Sequence, residues 1–290
     1  MERKLLIFQK HKWIKVFITA VILIGATSIF LYVQNNVLTV TKLEIQSEKL
    51  PSNFDGYKIV QLSDLHNKYF GENQKTLIRK VETFEPDIIV FTGDLVDHSK
   101  PNLEAGIVLM EGLVELAPVY FVTGNHEWYS TGFSELEEQL ETHGVIVLRN
   151  TFEQVAMGDQ HITILGIDDP MSSPGNDREF INDQLSSITE ELGFPDNYTI
   201  LLSHRPEHLG LYASHEMDLI FSGHAHGGQV RLPFIGGLVA PNQGLFPTYT
   251  AGMHELDSSI LIVNRGLGNS IIPQRLFNRP EIIVVELVAK

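Results

Sequence analysis

The chain has 290 residues, 43% of them apolar, and a formal net charge of −15. That length allows one large α/β domain or two small ones, and the acidic balance excludes the basic footprint that nucleic-acid binding requires. No cysteine is present, which excludes disulfides, thiolate metal sites and thiol nucleophiles.

Residues 1–15 carry five Lys or Arg against one Glu, and the 18 residues Val16–Val33 that follow carry no charge. The apolar run just reaches the span of a hydrocarbon core. The positive-inside rule then puts residues 1–15 in the cytoplasm and the body outside the cell membrane, on a single-pass anchor. Cleavage after Ser28 would leave the apolar stub Ile29-Phe30-Leu31, so the segment reads as an uncleaved anchor rather than a signal peptide. Residues 34–56 read as a spacer and an edge strand over 38–45. From Tyr57 the pattern becomes α/β. Apolar runs predict strands at 58–63, 87–92, 118–123, 145–148, 161–167, 198–203, 217–222, 259–264 and 281–288. Helices are predicted at 73–84, 102–116, 133–143, 177–191 and 206–213, with Ser134 and Glu137 as a capping box for the third. Wide early spacing implies parallel βαβ units; closer, Gly- and Pro-separated later strands imply hairpins.

Five blocks stand where apolar runs stop: Asp64-Leu65-His66, Gly93-Asp94, Gly124-Asn125-His126-Glu127, Ser203-His204 and Gly223-His224-Ala225-His226. In open α/β sheets chemistry gathers at the carboxyl ends of strands. An i, i+2 pair on extended backbone points to one side, so Asp64 with His66, and His224 with His226, can each reach one ion. Two divalent ions ~3.5–4 Å apart need a bridging anion. Asp64 and Asp94 are the carboxylates at the heart of the blocks, so one should bridge. Oxygen and imidazole donors without thiolates suit Mn2+, Fe, Zn2+ or Co2+ better than Ca2+.

In order and spacing, the segments DLH, GDLVD, GNHE, SHRPE and GHAHGGQ resemble the motifs of the calcineurin-like metallophosphoesterase superfamily. The closing segment NRGLGNSIIPQRLFNRPEI resembles its YkuE-like, membrane-associated bacterial branch. The resemblance implies a four-layer α/β/β/α sandwich over 57–290; the apolar segment before it reads as one transmembrane helix, where exported relatives of this branch can carry a twin-arginine signal. It implies two divalent metal ions (Mn2+, Fe2+/Fe3+ or Zn2+). Asp64, His66 and His226 would hold the first and Asn125, His204 and His224 the second, with Asp94 bridging. It also implies that His126 lies beside the phosphate as general acid or as stabiliser of the leaving oxygen. Asp97 and Glu127 would support the ligands. The reaction would be attack of a metal-bridging hydroxide on a phosphate ester, phosphodiester or pyrophosphate. Anchoring favours a phosphorylated small-molecule or lipid-linked substrate of the envelope. A non-catalytic metal-binding scaffold on the same fold is the alternative.

The remaining histidines read as surface or structural residues; His98 and His254, which follow motif loops, stand apart as the two to check. Arg205 and Arg231 adjoin ligand blocks and are candidates for substrate phosphate, against ordinary ion pairing. Asp168-Asp169-Pro170 also ends a strand and reads as a plain turn, against a part in shaping the cleft rim. The loop 232–248 either packs Phe234, Leu238 and Phe246 inward or presents them to lipid.

Overall fold

The computed structural model describes residues 2–99, 102–129, 132–193, 197–270 and 272–290, with side chains from residue 11 onward. The side chains of Arg3, Lys4 and Lys10, part of the basic segment, lie outside the described residues. Helix α1 runs from Glu2 to Asn36. Its portion His11–Asn36, 26 residues long, contains an 18-residue window with a mean hydropathy of 2.4. At 1.5 Å per residue that portion is about 39 Å long, enough to cross a membrane.

The strands in chain order are β1 (Thr39–Ser47), β2 (Lys58–Leu62), β3 (Ile88–Thr92), β4 (Val119–Val122), β5 (Ile146–Val147), β6 (Thr151–Met157), β7 (Gln160–Gly166), β8 (Thr199–Leu202), β9 (Leu219–Ser222), β10 (Arg231–Leu232), β11 (Gly236–Gly237), β12 (Val239–Ala240), β13 (Gly244–Leu245), β14 (Gly252–Leu256), β15 (Ser259–Val263) and β16 (Glu281–Ala289). Among the described residues they form two six-stranded sheets, β1-β16-β2-β3-β4-β5 and β14-β15-β9-β8-β7-β6, plus the small hairpins β10–β11 and β12–β13. Strands β2 to β5 are parallel, and β16 lies antiparallel to β2 and parallel to β1. Helices α2 (Lys75–Glu82), α3 (Glu104–Val114), α4 (Asn125–Tyr129), α5 (Phe133–Thr142), α6 (Asp177–Leu192) and α7 (Leu209–Ser214) connect them.

Side-chain alternation builds the layers. On β2, β3 and β4, Val60, Leu62, Ile89, Phe91, Val119 and Phe121 face outward onto apolar residues of α2, α3 and α5. Their neighbours Ile59, Ile88, Val90, Tyr120 and Val122 face the other sheet, meeting Ile164, Ile200, Leu202, Leu219 and Phe221. Beyond the second sheet, Leu201 and Ile220 pack on Ile181 and Leu185 of α6 and on Leu209 and Tyr212 of α7. The result is the expected α/β/β/α sandwich. Strands buried on both faces explain the continuous apolar runs. At the loop-bearing end, Gln61 Nε2 donates to Thr92 Oγ1 (3.1 Å) and to the Ser222 carbonyl (3.0 Å), tying the two sheets together.

Four expectations need correction. Strands β6 and β14 are edge strands whose mostly exposed residues mix polar and apolar types, with no continuous apolar run to betray them. The later strands β7, β8, β9 and β15 run parallel; hairpins occur at the sheet's margins, β6–β7 and β14–β15. No Ser134 capping box opens α5: Gly132 is the N-cap, Ser134 lies in the first turn, and Glu137 pairs with Arg149 at 3.1 Å. The helix expected over 206–213 splits into a 3-10 turn, Pro206–His208, and the short α7.

Candidate metal centre

Strand ends β2, β3, β4, β8 and β9 converge, and the five blocks lie on the turns that leave them. The backbone there is not extended. Asp64 (φ 52°), His66 (φ 48°), Asp94 (φ 55°), His224 (φ 62°) and His226 (φ 47°) are all left-handed. The i, i+2 argument from extended geometry therefore gives the right neighbours for Asp64 and His66 for the wrong reason, and fails for His224 and His226, which fall in different donor groups. The chain has left the strand and curls back, which brings each ligand-type residue inward. Non-glycine residues in this conformation cost of order 1 kcal/mol or more each and cluster where the surroundings dictate them. Gly93 (φ 86°) is demanded by close approach as well: a Cβ there would sit 2.5 Å from the Gly124 backbone nitrogen.

Among the described residues two buried groups of donors result, Asp64, His66, Asp94 and His226, and Asp94, His204 and His224, with a third, more exposed group of Asp97, His98 and His126. Asp94 belongs to both buried groups. Its Oδ2 lies 3.6 Å from His66 Nε2 and 3.3 Å from His204 Nε2. His226 Nε2 is 3.2 Å from Asp64 Oδ1 and 3.0 Å from His66 Nε2. His224 Nδ1 is 3.2 Å from His204 Nε2, whose ring is fixed by its Nδ1 at 2.7 Å from the Thr92 carbonyl. Asn125 lines the same cleft.

The surroundings fit cations. Asp64 Oδ2, His66 Nδ1, His226 Nδ1 and Asn125 Oδ1 are buried without a hydrogen-bond partner among the described residues. Orphaned buried acceptors are costly, and cations at the convergence would engage the oxygens among them. Burial pushes the Asp64 carboxyl up to about 7, against the pull of His204. Burial also raises Asp94, yet His204, His126 and His66 around it hold it well below the usual range. Desolvation lowers His66 to about 3 and carries His224 and His226 well down too, so these imidazoles are neutral and able to ligate. His204 resists burial because Asp94 and Asp64 face it, and rises to about 10.

Glu127 is fully buried. It accepts from the backbone nitrogens of Gly124 (2.7 Å), Asp94 (2.9 Å), Leu95 (2.8 Å) and Val96 (3.3 Å), locking the turn after β3 to the turn after β4. Burial and the Asp94 charge push it up to about 8. The His126 amide donates to Asp94 Oδ1 (2.8 Å), while its side chain lines the open cleft. His126 Nδ1 accepts from the His98 amide at 3.3 Å and lies 3.8 Å from Asp97 Oδ1. Burial lowers its pKa.

The cleft measures about 630 Å³. Arg205 lies on its wall, its Nε and Nη2 held by both Asp169 oxygens at 2.6 and 2.9 Å. Asp169 is thus more than a turn residue: it fixes a buried guanidinium beside the donors. Arg231 is elsewhere, donating to the Gly227 carbonyl and Thr250. His98, singled out because it follows a motif loop, lines the cleft, and so do Tyr129, Asn242 and Ser270, which sequence reasoning passed over. His254 lies on β14, outside this lining.

Residues 57–228 match the family model described as calcineurin-like phosphoesterase. The chain belongs to the calcineurin-like phosphoesterase family. This metallophosphoesterase is 35% identical over 262 residues to the uncharacterized metallophosphoesterase YkuE of Bacillus subtilis, covering 88% of this chain and 87% of that one. It is 31% identical to a bovine transmembrane protein with a metallophosphoesterase domain, over 86% of this chain and 57% of that protein. It is 27% identical to a protein of Chlamydia trachomatis named UDP-2,3-diacylglucosamine pyrophosphatase LpxG, over 82% of this chain and 85% of the other. Family membership carries with it phosphoester hydrolysis and divalent metal binding. The apolar α1 and the relatives named as transmembrane proteins suggest membrane association.

Proposed function

We propose that the enzyme hydrolyses a phosphate ester, phosphodiester or pyrophosphate bond on an envelope or lipid-linked substrate, using two divalent cations. The observation that carries this reading is the position of Asp94 in both buried donor groups. Asp64, His66 and His226 would hold one cation, Asn125, His204 and His224 the other, and Asp94 both. Such a pair of cations supplies an activated water at neutral pH and withdraws charge from the phosphoryl oxygens. Which metals they are is left to the loading experiment.

The chain's own groups do the rest. His126 Nδ1 is occupied by the His98 amide, so its neutral ring carries the proton on Nε2. It delivers that proton to the departing oxygen. Asp97 beside it favours the charged ring. Arg205, oriented by Asp169, binds a phosphate oxygen in the cleft through the edge that Asp169 leaves open. Glu127 holds the two turns that present Asp94 and Asn125.

Residues 1–15 are proposed to be cytoplasmic, 16–33 to span the membrane once, 34–56 to lead into the body, and 57–290 to form the catalytic domain outside. The similarity to a protein named as a pyrophosphatase of a diacylated nucleotide sugar supports a lipid-linked pyrophosphate as the substrate class. The test is direct. The full chain in detergent is stripped of metal, reloaded with Mn2+, Fe2+ or Zn2+, and assayed on bis-p-nitrophenyl phosphate. About two cations per chain with turnover is expected; the same loading without turnover for any of these metals overturns the proposal.

A further inference from the structure

The last turns of α1 are clamped to the body. The Phe30 ring packs on Phe277 at 5.6 Å between centroids. Gln274 Nε2 donates to the Leu31 carbonyl at 3.1 Å, and Asn35 Oδ1 accepts from the Arg275 amide at 2.7 Å. Phe30 lies inside the uncharged segment Val16–Val33, three residues from its end, about 4.5 Å along the helix axis. The edge of the body at Phe277 therefore stands level with the last turn of the membrane-length segment.

Two hairpins adjoin that edge. Val230 and Leu276 form a parallel bridge, and the Arg231 amide donates to the Leu276 carbonyl at 3.0 Å. This fixes β10–β11 beside Phe277. The second hairpin, β12–β13, is tied to the first through Leu238, whose amide bonds to the Val230 carbonyl at 3.0 Å. Their tips are apolar and bare: Phe234 is fully exposed, Ile235 61%, Leu245 76% and Phe246 65%. In a chain with 36 Asp and Glu, residues 219–254 contain none, and Arg231 is the single Lys or Arg there. An acid-free face with exposed aromatic and aliphatic tips suits a lipid surface.

We propose that the two hairpins over 231–246, together with Phe277, form a second membrane-contact surface that sinks Phe234, Ile235, Leu245 and Phe246 into the headgroup–acyl boundary. The inference rests on α1 lying in the membrane. The turn of the second hairpin, Pro241-Asn242, lines the catalytic cleft, so seating the hairpins holds the cleft mouth against the bilayer. A phosphate carried on a lipid then reaches the site without leaving its leaflet, a consequence that rests on the proposed function.

The cysteine-free chain makes a clean test possible. Full-length Phe234→Cys, Phe246→Cys and the distant control Asp159→Cys are labelled with the environment-sensitive dye NBD. They are reconstituted in vesicles of phosphatidylcholine and phosphatidylglycerol. The labels at 234 and 246 should emit at least ~10 nm to the blue of the label at 159 and be quenched by lipids carrying a doxyl group. Emission matching position 159 overturns the proposal; so does shielding without doxyl quenching, which marks a protein partner instead. A second measurement avoids the dye. The double variant Phe234→Asp/Phe246→Asp should keep its rate on soluble bis-p-nitrophenyl phosphate. It should lose at least about tenfold in kcat/KM on a diacylglycerol p-nitrophenyl phosphodiester in the same vesicles; equal loss on both, or on neither, contradicts the membrane contact. If the unaltered enzyme turns over neither probe, the proposed function fails while the depth readout still decides this inference.

Discussion

The turns after β2, β3 and β4 bring the proposed oxygen donors, Asp64, Asp94 and Asn125, along with His66, whereas the turns after β8 and β9 bring the proposed imidazole donors His204, His224 and His226. The two sides are also held differently. On the first, one buried carboxylate, Glu127, gathers four backbone N–H groups and makes the turns after β3 and β4 a unit. On the second, each ring is set by its own left-handed backbone or, for His204, by the Thr92 carbonyl across the sheet gap. The shared ligand lies on the first side. Damage there should spread to both cations, while damage on the second should stay local.

Asp94→Ala tests this hardest. It should remove both cations by elemental analysis and lower kcat by at least ~10⁴-fold, because positioning and charge are lost together. His204→Ala should remove one cation and leave the other; loss of both would erase the asymmetry between the sheets. His126→Ala should lower kcat by about 10²- to 10⁴-fold with the metal content unchanged, which separates proton delivery from ligation. Glu127→Gln should weaken metal affinity by about 10- to 100-fold, readable by titration with a competing chelator, since the brace and not a ligand is altered.

The smallest effect is electrostatic. Without metal, His204 is raised to about 10, Glu127 to about 8 and Asp64 to about 7. Groups raised above their unfolded values contribute stability that is full below the unfolded pKa and is lost as pH climbs through the folded one. All three act in the same direction above pH 7. Melting of the metal-stripped chain should therefore drop by at least ~3 °C from pH 7 to 9. Loaded with Zn2+, the chain should show a shallower slope; equal slopes would contradict a charge-starved centre.

Much of this was legible in the sequence. Doubly buried strands such as β3 and β9 declare themselves as unbroken apolar runs, and the donors follow them directly. The chemistry of the residue types also separated carboxylates from imidazoles. Three things were not legible. Edge strands β6 and β14 carry mostly exposed residues of mixed polarity, because a half-solvated margin has no need of an apolar run. Asp and His give no local sign of left-handed backbone; tertiary packing imposes it at positions 64, 66, 94, 224 and 226. Asp169 could not be told from a turn residue until Arg205, 36 positions away, met it. The choice between inward and outward for the 232–248 loop falls to outward for Phe234 and Phe246, while Leu238 is half-buried.

Strand β1 leaves α1 after two residues, yet its neighbour in the sheet is β16, with Thr41 and Glu281 bonded across 240 positions. During synthesis the anchor and β1 emerge early and must wait for almost the whole body before that edge can close. Non-local closure of this kind is slow and leaves an unpaired strand exposed meanwhile. The joint between anchor and enzyme is accordingly among the last parts to set. A ribosome stalled before residue 281 would leave an anchored chain whose β1 edge stays open to chaperones and proteases.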